Sequence, residues 1–480
     1  MKTHKVVGLT LFLGILLIIS GIIIGKAVNI KLSEMNGYFG MEKVIVTQKN
    51  VDTDNSNPIT IRDIKRIKKA MEDTDVSYSS SLMTYVKGNN RDATAELIGT
   101  NSVYSKFSLL QFAAGSFFTE EAEKESSRVA VIDEKLAIKL FNTSKVIGNK
   151  ISIYNQSFSI IGVISTDSSL LQGLIDDDIP SIYIPGSTFF EFNDTSAITH
   201  IEIKSLNNDT LGNNSKLVAK GLESIGQNPQ NYNIIDFNIE EALIKQKPDI
   251  LMFLVGLISI LVLVLYIKRE FGRVLGLLIR EAKSDYISSI VRANSFKIIL
   301  LVIKTIAVAL FTIIIWKLIK FSLYIPPEYI PTDLTDMGYF GDLIYKTITS
   351  RNSNMGYIPF TSERLLDISQ RITNISFIIS LFPGFIIFYI GIYQARALKI
   401  DSFKLLLQSG ISLLLSAILL TGLIFYFDIN FYVNSTTFVV LWIFICINVV
   451  KFGSEAEKRE MVSTSKEAAK HIKQDKHIFG

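Results

Sequence analysis

The chain has 480 residues, 48% of them hydrophobic and 20% charged, too apolar for one soluble globule and too polar for a chain lying wholly in a membrane. The net charge of +4 is mild, and the positive residues sit at the edges of apolar runs rather than in aromatic-interleaved patches, which argues against nucleic-acid binding. A single cysteine, Cys446, excludes an intrachain disulfide framework, so a soluble domain in this chain must be held by its own core.

Lys2 and Lys5 precede an apolar run from Val6 to Gly25. A secretory signal peptide starts the same way, but its apolar core runs about 7 to 15 residues and ends at a small-residue cleavage site. This run is longer and has no such site, so residues 1–29 are read as a first span with its basic end in the cytoplasm. Residues 30–245 then lie outside as one α+β domain, long enough to bury a core.

Within that domain Lys43 to Thr47 reads as a strand. Thr60 to Met71 reads as a helix capped by Thr60, with Ile61, Ile64, Ile67 and Met71 on one face. Val129 to Ile132 is an apolar strand, and Asp133 is placed to cap a helix carrying Leu136, Ala137, Leu140 and Phe141. Further strands are expected at Lys150 to Tyr154, Ser157 to Val163, Ser181 to Ile184 and His200 to Lys204.

The apolar run Ile250 to Ile267 is followed by an elbow bearing Lys268, Arg269, Arg273, Arg280, Lys283, Arg292 and Lys297, and then by the run Ile298 to Leu318. A short Lys/Arg-rich loop between spans belongs in the cytoplasm. In the elbow Phe271, Leu275, Leu278, Ala282, Tyr286 and Ile290 recur every three to four residues, the pattern of an amphipathic helix lying in the membrane interface or docking on a partner. Segment 322–373 returns outside, with a helix expected at Thr361 to Ile372. Asn374 to Tyr393 is the next span, and Pro383-Gly384 is expected to kink it. Arg396, Lys399 and Lys404 mark the inside again; residues 408–451 hold two more spans, Ile411 to Phe427 and the short Phe438 to Val450. Residues 452–480 form a charged cytoplasmic tail. The expectation is a multi-pass α-helical membrane protein of about six spans, both termini cytoplasmic, with a large extracytoplasmic α+β domain between spans 1 and 2.

No catalytic or metal constellation emerges. His471 and His477 lie six apart, on different faces of a helix. His200 leads a strand as a structural or solvated residue, and Asp176 to Asp178 lack a ligand-spaced loop. Lys304, inside a span, reads as facing a partner helix or snorkelling. There is no G-x-x-x-x-G-K-[ST], G-x-S-x-G or H-E-x-x-H sequence, so no cofactor and no catalytic residue is expected.

A family resemblance rests on several stretches. Leu97-Ile-Gly99, Tyr104, Gly115-Ser-Phe-Phe118, Val129 to Ile132, Leu140-Phe141, Ile147 to Ile151, Phe158 to Val163 and Ile182 to Pro185 follow the order and spacing of the MacB-like periplasmic core domain of ABC transporter permeases. Arg269-Glu-Phe-Gly272 with Gly276-Leu-Leu278, and Gln394 to Asp401 with Phe403 to Leu406, resemble the loops of an FtsX-like permease domain, placed here at 249–407. Ser402 stands where that family often has proline, and segment 322–373 and the two added spans depart from its usual layout.

The resemblance implies a permease subunit, dimeric with a second copy or a related permease, working with separate ABC ATPase subunits in the cell membrane. It implies that ATP-driven closure moves the outer domain, to export or extract a peptide, lipoprotein or other amphipathic cargo. The expected coupling elbow is Arg269, Glu270, Phe271, Gly272, Arg273, Leu275, Gly276 and Leu278, with Arg396, Lys399 and Asp401 in the second cytoplasmic loop. Arg269 and Glu270 are expected to fix the helix entry, and the glycines to let backbones approach closely. The competing function is a membrane-anchored sensor or regulator of cell-wall hydrolysis acting through the outer domain.

Overall fold

A computed structural model describes residues 2–49, 58–89, 91–165, 178–192, 197–206, 211–281, 291–331, 359–427 and 434–450, with isolated positions between them. The expected features at Asp176-Asp177, Ala282, Lys283, Ile290, part of loop 428–436 and the tail 452–480 with its two histidines lie outside the described residues.

Ten strands make one sheet: β1 (Lys43–Gln48), β2 (Val76–Lys87), β3 (Asp92–Thr100), β4 (Phe112–Gly115), β5 (Val129–Asp133), β6 (Lys150–Ile153), β7 (Gln156–Ile164), β8 (Ser181–Pro185), β9 (His200–Lys204) and β10 (Tyr232–Asp236). Their order is β10-β1-β9-β2-β3-β8-β5-β7-β4, and β6 bridges β2 and β7. The longer helices are α1 (Lys2–Met35), α2 (Ile61–Ala70), α3 (Glu134–Phe141), α4 (Asn213–Ser224), α5 (Phe237–Glu281), α6 (Ser295–Ile319), α7 (Thr361–Ile379), α8 (Phe385–Ala397), α9 (Ser402–Tyr426) and α10 (Ser435–Val450).

Local chemistry accounts for several boundaries. The Asp63 carboxylate accepts the Thr60 N–H at 3.0 Å, and Ile64 and Ile67 pin α2 to the sheet. Asp133 stands at the N-cap position of α3 as expected, but its side chain makes no capping hydrogen bond there. Its carboxylate accepts the Ser181 N–H at 2.6 Å, because β5 and β8 run side by side. Strand β2 escapes hydrophobic patterning because Ser77, Ser79, Ser80 and Thr84 are buried in it.

Among the described residues, five helices are long and apolar enough to cross a membrane: Lys5–Met35, α5, α6, the continuous Thr361–Ala397 and α9; α10 is shorter. The elbow is no separate helix as far as Glu281, because α5 runs without a break from β10 through the apolar run into it. Helix α1 is the hub of the bundle. Leu11, Ile15, Ile18, Ile19, Ile22 and Ile23 are buried among α5, α7, α8 and α9. Gly14 lets α1 approach closely, since an added Cβ would stand 2.5 Å from the Phe388 backbone nitrogen. Pro383 lies in a π-turn, Ser380–Gly384, joining α7 to α8. There the Ser380 hydroxyl donates to the Ile18 carbonyl at 2.9 Å.

The sheet domain stands on the bundle through one face of β1. Strand alternation turns Val44 and Val46 toward α2 and α4, and turns Lys43, Ile45 and Thr47 the other way. On that second face Leu32 of α1, Phe237 and Ile244 of α5, and Leu365 and Leu366 of α7 close over Ile45. Lys43 is fully buried there, and its Nζ donates to Glu202 Oε1 at 2.7 Å and to the Phe107 carbonyl at 3.0 Å. It also lies 5.3 Å from the centre of the Phe237 ring, the first residue of α5.

Two predictions follow from this packing. Gly14→Ala lowers stability by about 1–3 kcal/mol through overpacking, read as a fall in melting temperature in detergent. Gly276→Ala, by contrast, raises it by about 0.5–1 kcal/mol, because nothing outside its own helix lies within 4 Å of the added Cβ and alanine is the better helix former. Lys43→Met, which strands the buried Glu202 carboxylate, costs about 3–5 kcal/mol, whereas Lys43→Met/Glu202→Leu recovers most of that loss. Burial opposes the Glu202 charge, but Lys43 and His200 outweigh it and hold the carboxyl below its ordinary value. The pair's contribution is therefore present above about pH 4.3 and is lost as pH falls through the depressed value, which an acid titration of the wild type against the double variant measures.

Candidate coupling sites at the two ends of the helices

The joint between sheet and helices is built from β1, β9 and the start of α7. The register places Ile45 opposite Glu202 and Thr47 opposite His200, so these side chains share the helix-facing side of the sheet. The Thr47 hydroxyl donates to Glu363 Oε1 at 3.0 Å. Glu363 is the third residue of α7, and its Oε2 accepts the Phe360 N–H at 3.2 Å, satisfying a free donor at the helix start. Phe360 then stacks on the His200 ring with centroids 3.8 Å apart and planes 20° apart. His200 is buried, with Nε2 3.9 Å from Glu202 Oε1. It is thus a packed structural residue rather than a solvated one.

The contact spreads from there. Phe360 meets Tyr104 edge to face, and Tyr104 meets Tyr183 of β8 at 5.6 Å. Burial, with the nearby Glu202 charge, raises the Tyr104 hydroxyl well above its ordinary value, so it stays a neutral hydrogen-bonding group. Gln370 of α7 donates to Glu240 of α5, and Lys26 of α1 lies 3.9 Å from Asp249 of α5. Asp236 accepts the Asn238 N–H at 3.1 Å and starts α5 directly from β10. Sequence reasoning missed Lys43, Thr47, Glu202, Phe360 and Glu363. The available signal was the alternation of polar residues in His200–Lys204, together with Glu363 at the third position of a helix.

At the far end of the bundle the elbow residues lie on the last turns of α5. Glu270 is 14% exposed; it pairs with Arg273 at 2.8 Å and lies 3.9 Å from Lys304 of α6. Lys304 therefore faces a neighbouring helix and ties the α5–α6 hairpin. Phe271 and Leu275 are exposed, Leu278 is half-buried, and no atom lies within 4 Å of an added Cβ at Gly272 or Gly276. These five residues thus leave an open apolar and glycine-bearing surface beside the basic Arg269 and Arg273. In the second loop Asp401 accepts the Lys404 N–H at 3.4 Å as the N-cap of α9. Lys399 takes a left-handed backbone at φ 53°, and Arg396 is half-buried on the last turn of α8. Thr10 of α1 donates to Gln394 Oε1 at 3.1 Å, so α1 and α8 are also joined at this end.

Residues 8–212 match the family described as the MacB-like periplasmic core domain. The chain is similar to the uncharacterized ABC transporter permease YknZ of Bacillus subtilis, 24% identical over 202 residues that cover 42% of this chain and 49% of the relative. It is also similar to the macrolide export ATP-binding/permease protein MacB of Neisseria gonorrhoeae, 26% identical over 234 residues that cover 46% of this chain and 35% of the relative. Against the crystal structure of the periplasmic region of MacB from Actinobacillus actinomycetemcomitans the TM-score is 0.35 at 20% identity, covering 42% of this chain and 92% of the other. The chain spans about half the length, or less, of these curated relatives. Residues 8–212 thus match the MacB-like periplasmic core domain, in a chain whose long apolar helices fit a multi-pass membrane protein and which is similar to the ABC transporter permeases MacB and YknZ.

Proposed function

We propose that this protein is the permease subunit of an ABC transporter complex, with its sheet domain outside the cell membrane and both termini in the cytoplasm. Six spans, α10 included, give that orientation. ATP hydrolysis is assigned to an ATPase outside these 480 residues, which contain no Walker-type phosphate loop. A second copy, or a related permease, completes the membrane unit.

The observation that carries this reading is α5. It leaves β10 at Phe237 and reaches Glu281 as one 45-residue helix, about 67 Å long. A push on its basic far end is transmitted along a single element to a sheet domain that is itself fastened to α1 and α7. The exposed Phe271 and Leu275, the open glycines and the flanking Arg269 and Arg273 give an ATPase subunit a surface to grip. In this reading the cargo is a peptide, a lipoprotein or another amphipathic molecule taken up at the outer side, and it need not pass between the spans.

The test is co-purification of the tagged protein from mild detergent, with mass spectrometry and an ATPase assay. An ATP-binding subunit is expected to co-purify, and Arg269→Glu/Arg273→Glu is expected to release it while the sheet domain stays folded. Absence of any ATPase across several detergents, with and without ATP and vanadate, contradicts the reading.

A further inference from the structure

The loop that leaves α6 lies at the level where the apolar runs end. Lys26 of α1 stands 3.9 Å from Asp249 of α5, and these are the first charged residues beyond the runs Val6 to Gly25 and Ile250 to Ile267. A Cβ added to Gly25 would stand 2.7 Å from Pro248 and 3.6 Å from Thr373, the residue before the apolar run of α7. The three runs therefore end at one level, which marks the edge of the hydrocarbon. The chain leaving α6 is placed against that edge by its contacts with α5. A Cβ added to Gly256 would stand 2.5 Å from Ile319, and the Phe321 and Phe253 ring centres are 5.7 Å apart. The Tyr324 N–H then donates to Gln246 Oε1 at 3.2 Å. Gln246 precedes Asp249 by three residues, about 4.5 Å along α5 toward the sheet. Tyr324 thus sits just beyond the hydrocarbon, at the depth of the lipid headgroups.

The surface of this loop is apolar. Residues 321–327 carry no charge, and Leu323, Ile325, Tyr329 and Ile330 are each about half exposed. They continue the exposed apolar surface of α6, which carries Ile306, Leu310, Ile313 and Ile314. The backbone suits a place poor in water. Pro326, Pro327 and Pro331 have no N–H, and the Tyr329 and Ile330 N–H groups donate to the Pro326 and Pro327 carbonyls at 2.9 and 3.1 Å. Irregular backbone does not face the hydrocarbon itself, so the interface is the depth that such a loop can occupy. Lys317 and Lys320, both exposed, precede it at the end of α6, where long cationic side chains reach lipid phosphates. A soluble partner would leave the four apolar side chains in water whenever it was absent. The leaflet that surrounds α6 reaches them with no further component.

We propose that loop 321–330 is an interfacial lipid anchor, with Leu323, Ile325, Tyr329 and Ile330 inserted at the headgroup–acyl boundary of the leaflet nearer the sheet domain. Because Tyr324 is bonded to Gln246, the anchor fastens α5 to that leaflet just below the joint with the sheet, and an axial shift of α5 changes how deeply these side chains sit. The lipid contact rests on the helices being spans and not on the presence of an ATPase, and its test contains none.

Leu323→Cys, Ile325→Cys, Lys87→Cys and Ile306→Cys, each in a Cys446→Ala background, are spin-labelled in phosphatidylcholine nanodiscs. Collisions are measured with oxygen, which concentrates in lipid, and with a nickel chelate, which stays in water. Position 87, at the end of β2, gives the water reference, and position 306, midway along α6, gives the lipid reference. Insertion of about 5–10 Å predicts chelate contact at 323 and 325 at least about threefold below that at 87, with oxygen contact well above it. Chelate contact equal to that at 87 would place the loop in water and overturn the proposal. Low contact with both reagents would overturn it as well, because protein rather than lipid would then cover the loop.

Discussion

The architecture depends on a fully buried ion pair, Lys43 with Glu202. Two charges in an apolar interior are costly to desolvate, and the cost is offset only when the geometry is fixed. Here it is fixed from four sides: β1 supplies the lysine, β9 the carboxylate, the short helix Tyr104–Phe107 a carbonyl, and α5 the ring of its first residue. A one-residue slip of β9 against β1 would turn Glu202 to the opposite face and leave Lys43 buried without a partner. The pair therefore sets register as much as it adds stability. Its consequence is that His200, Glu202, Thr47 and Ile45 all face the helices.

From that register the joint with the membrane bundle follows. Thr47 reaches Glu363, Glu363 holds the start of α7, and Phe360 lies flat on His200. Helices α1, α5 and α7 thus meet one sheet face instead of hanging from it by linkers. Two places along these helices have weakened backbone ladders. Pro248 removes a hydrogen bond within α5 near the Lys26–Asp249 contact, and Pro383 sits in the π-turn that accepts α1. In the proposed permease these are the points at which the helices bend while the sheet keeps its shape.

Much of the fold can be read in the sequence where apolar residues carry the signal. The strands from Lys43, Val129, Lys150, Ser181 and His200, the α2 helix with its Thr60 cap, the apolar runs and the Pro383 break all lie where periodicity and turn chemistry put them. What periodicity could not reveal is where polar residues are buried. The alternation in His200–Lys204 reads as a strand with one wet face, yet that face is covered by Phe360 and α7. Strand β2, with its buried serines, was invisible for the same reason. Asp133 was assigned to the helix that follows it, but a neighbouring strand with an N–H to satisfy took the carboxylate. The elbow was recognisable from charge and apolar spacing. Its continuity with β10 through α5 was not, because it depends on Asp236 and Asn238 starting the helix without a loop.

The central claim is that the sheet domain and the tops of its helices move as one body. Spin labels at Lys87, at the far end of β2, and at Asp367 on α7 allow that distance to be measured by electron–electron resonance in the proposed complex with an ATPase, both nucleotide-free and trapped with ATP and vanadate. The account predicts an unchanged Lys87–Asp367 distance within one copy, together with a nucleotide-dependent change between the Lys87 labels of two copies. A Lys87–Asp367 distance that changes with nucleotide would contradict it, because α7 would then slide against the sheet and the joint would not carry the motion.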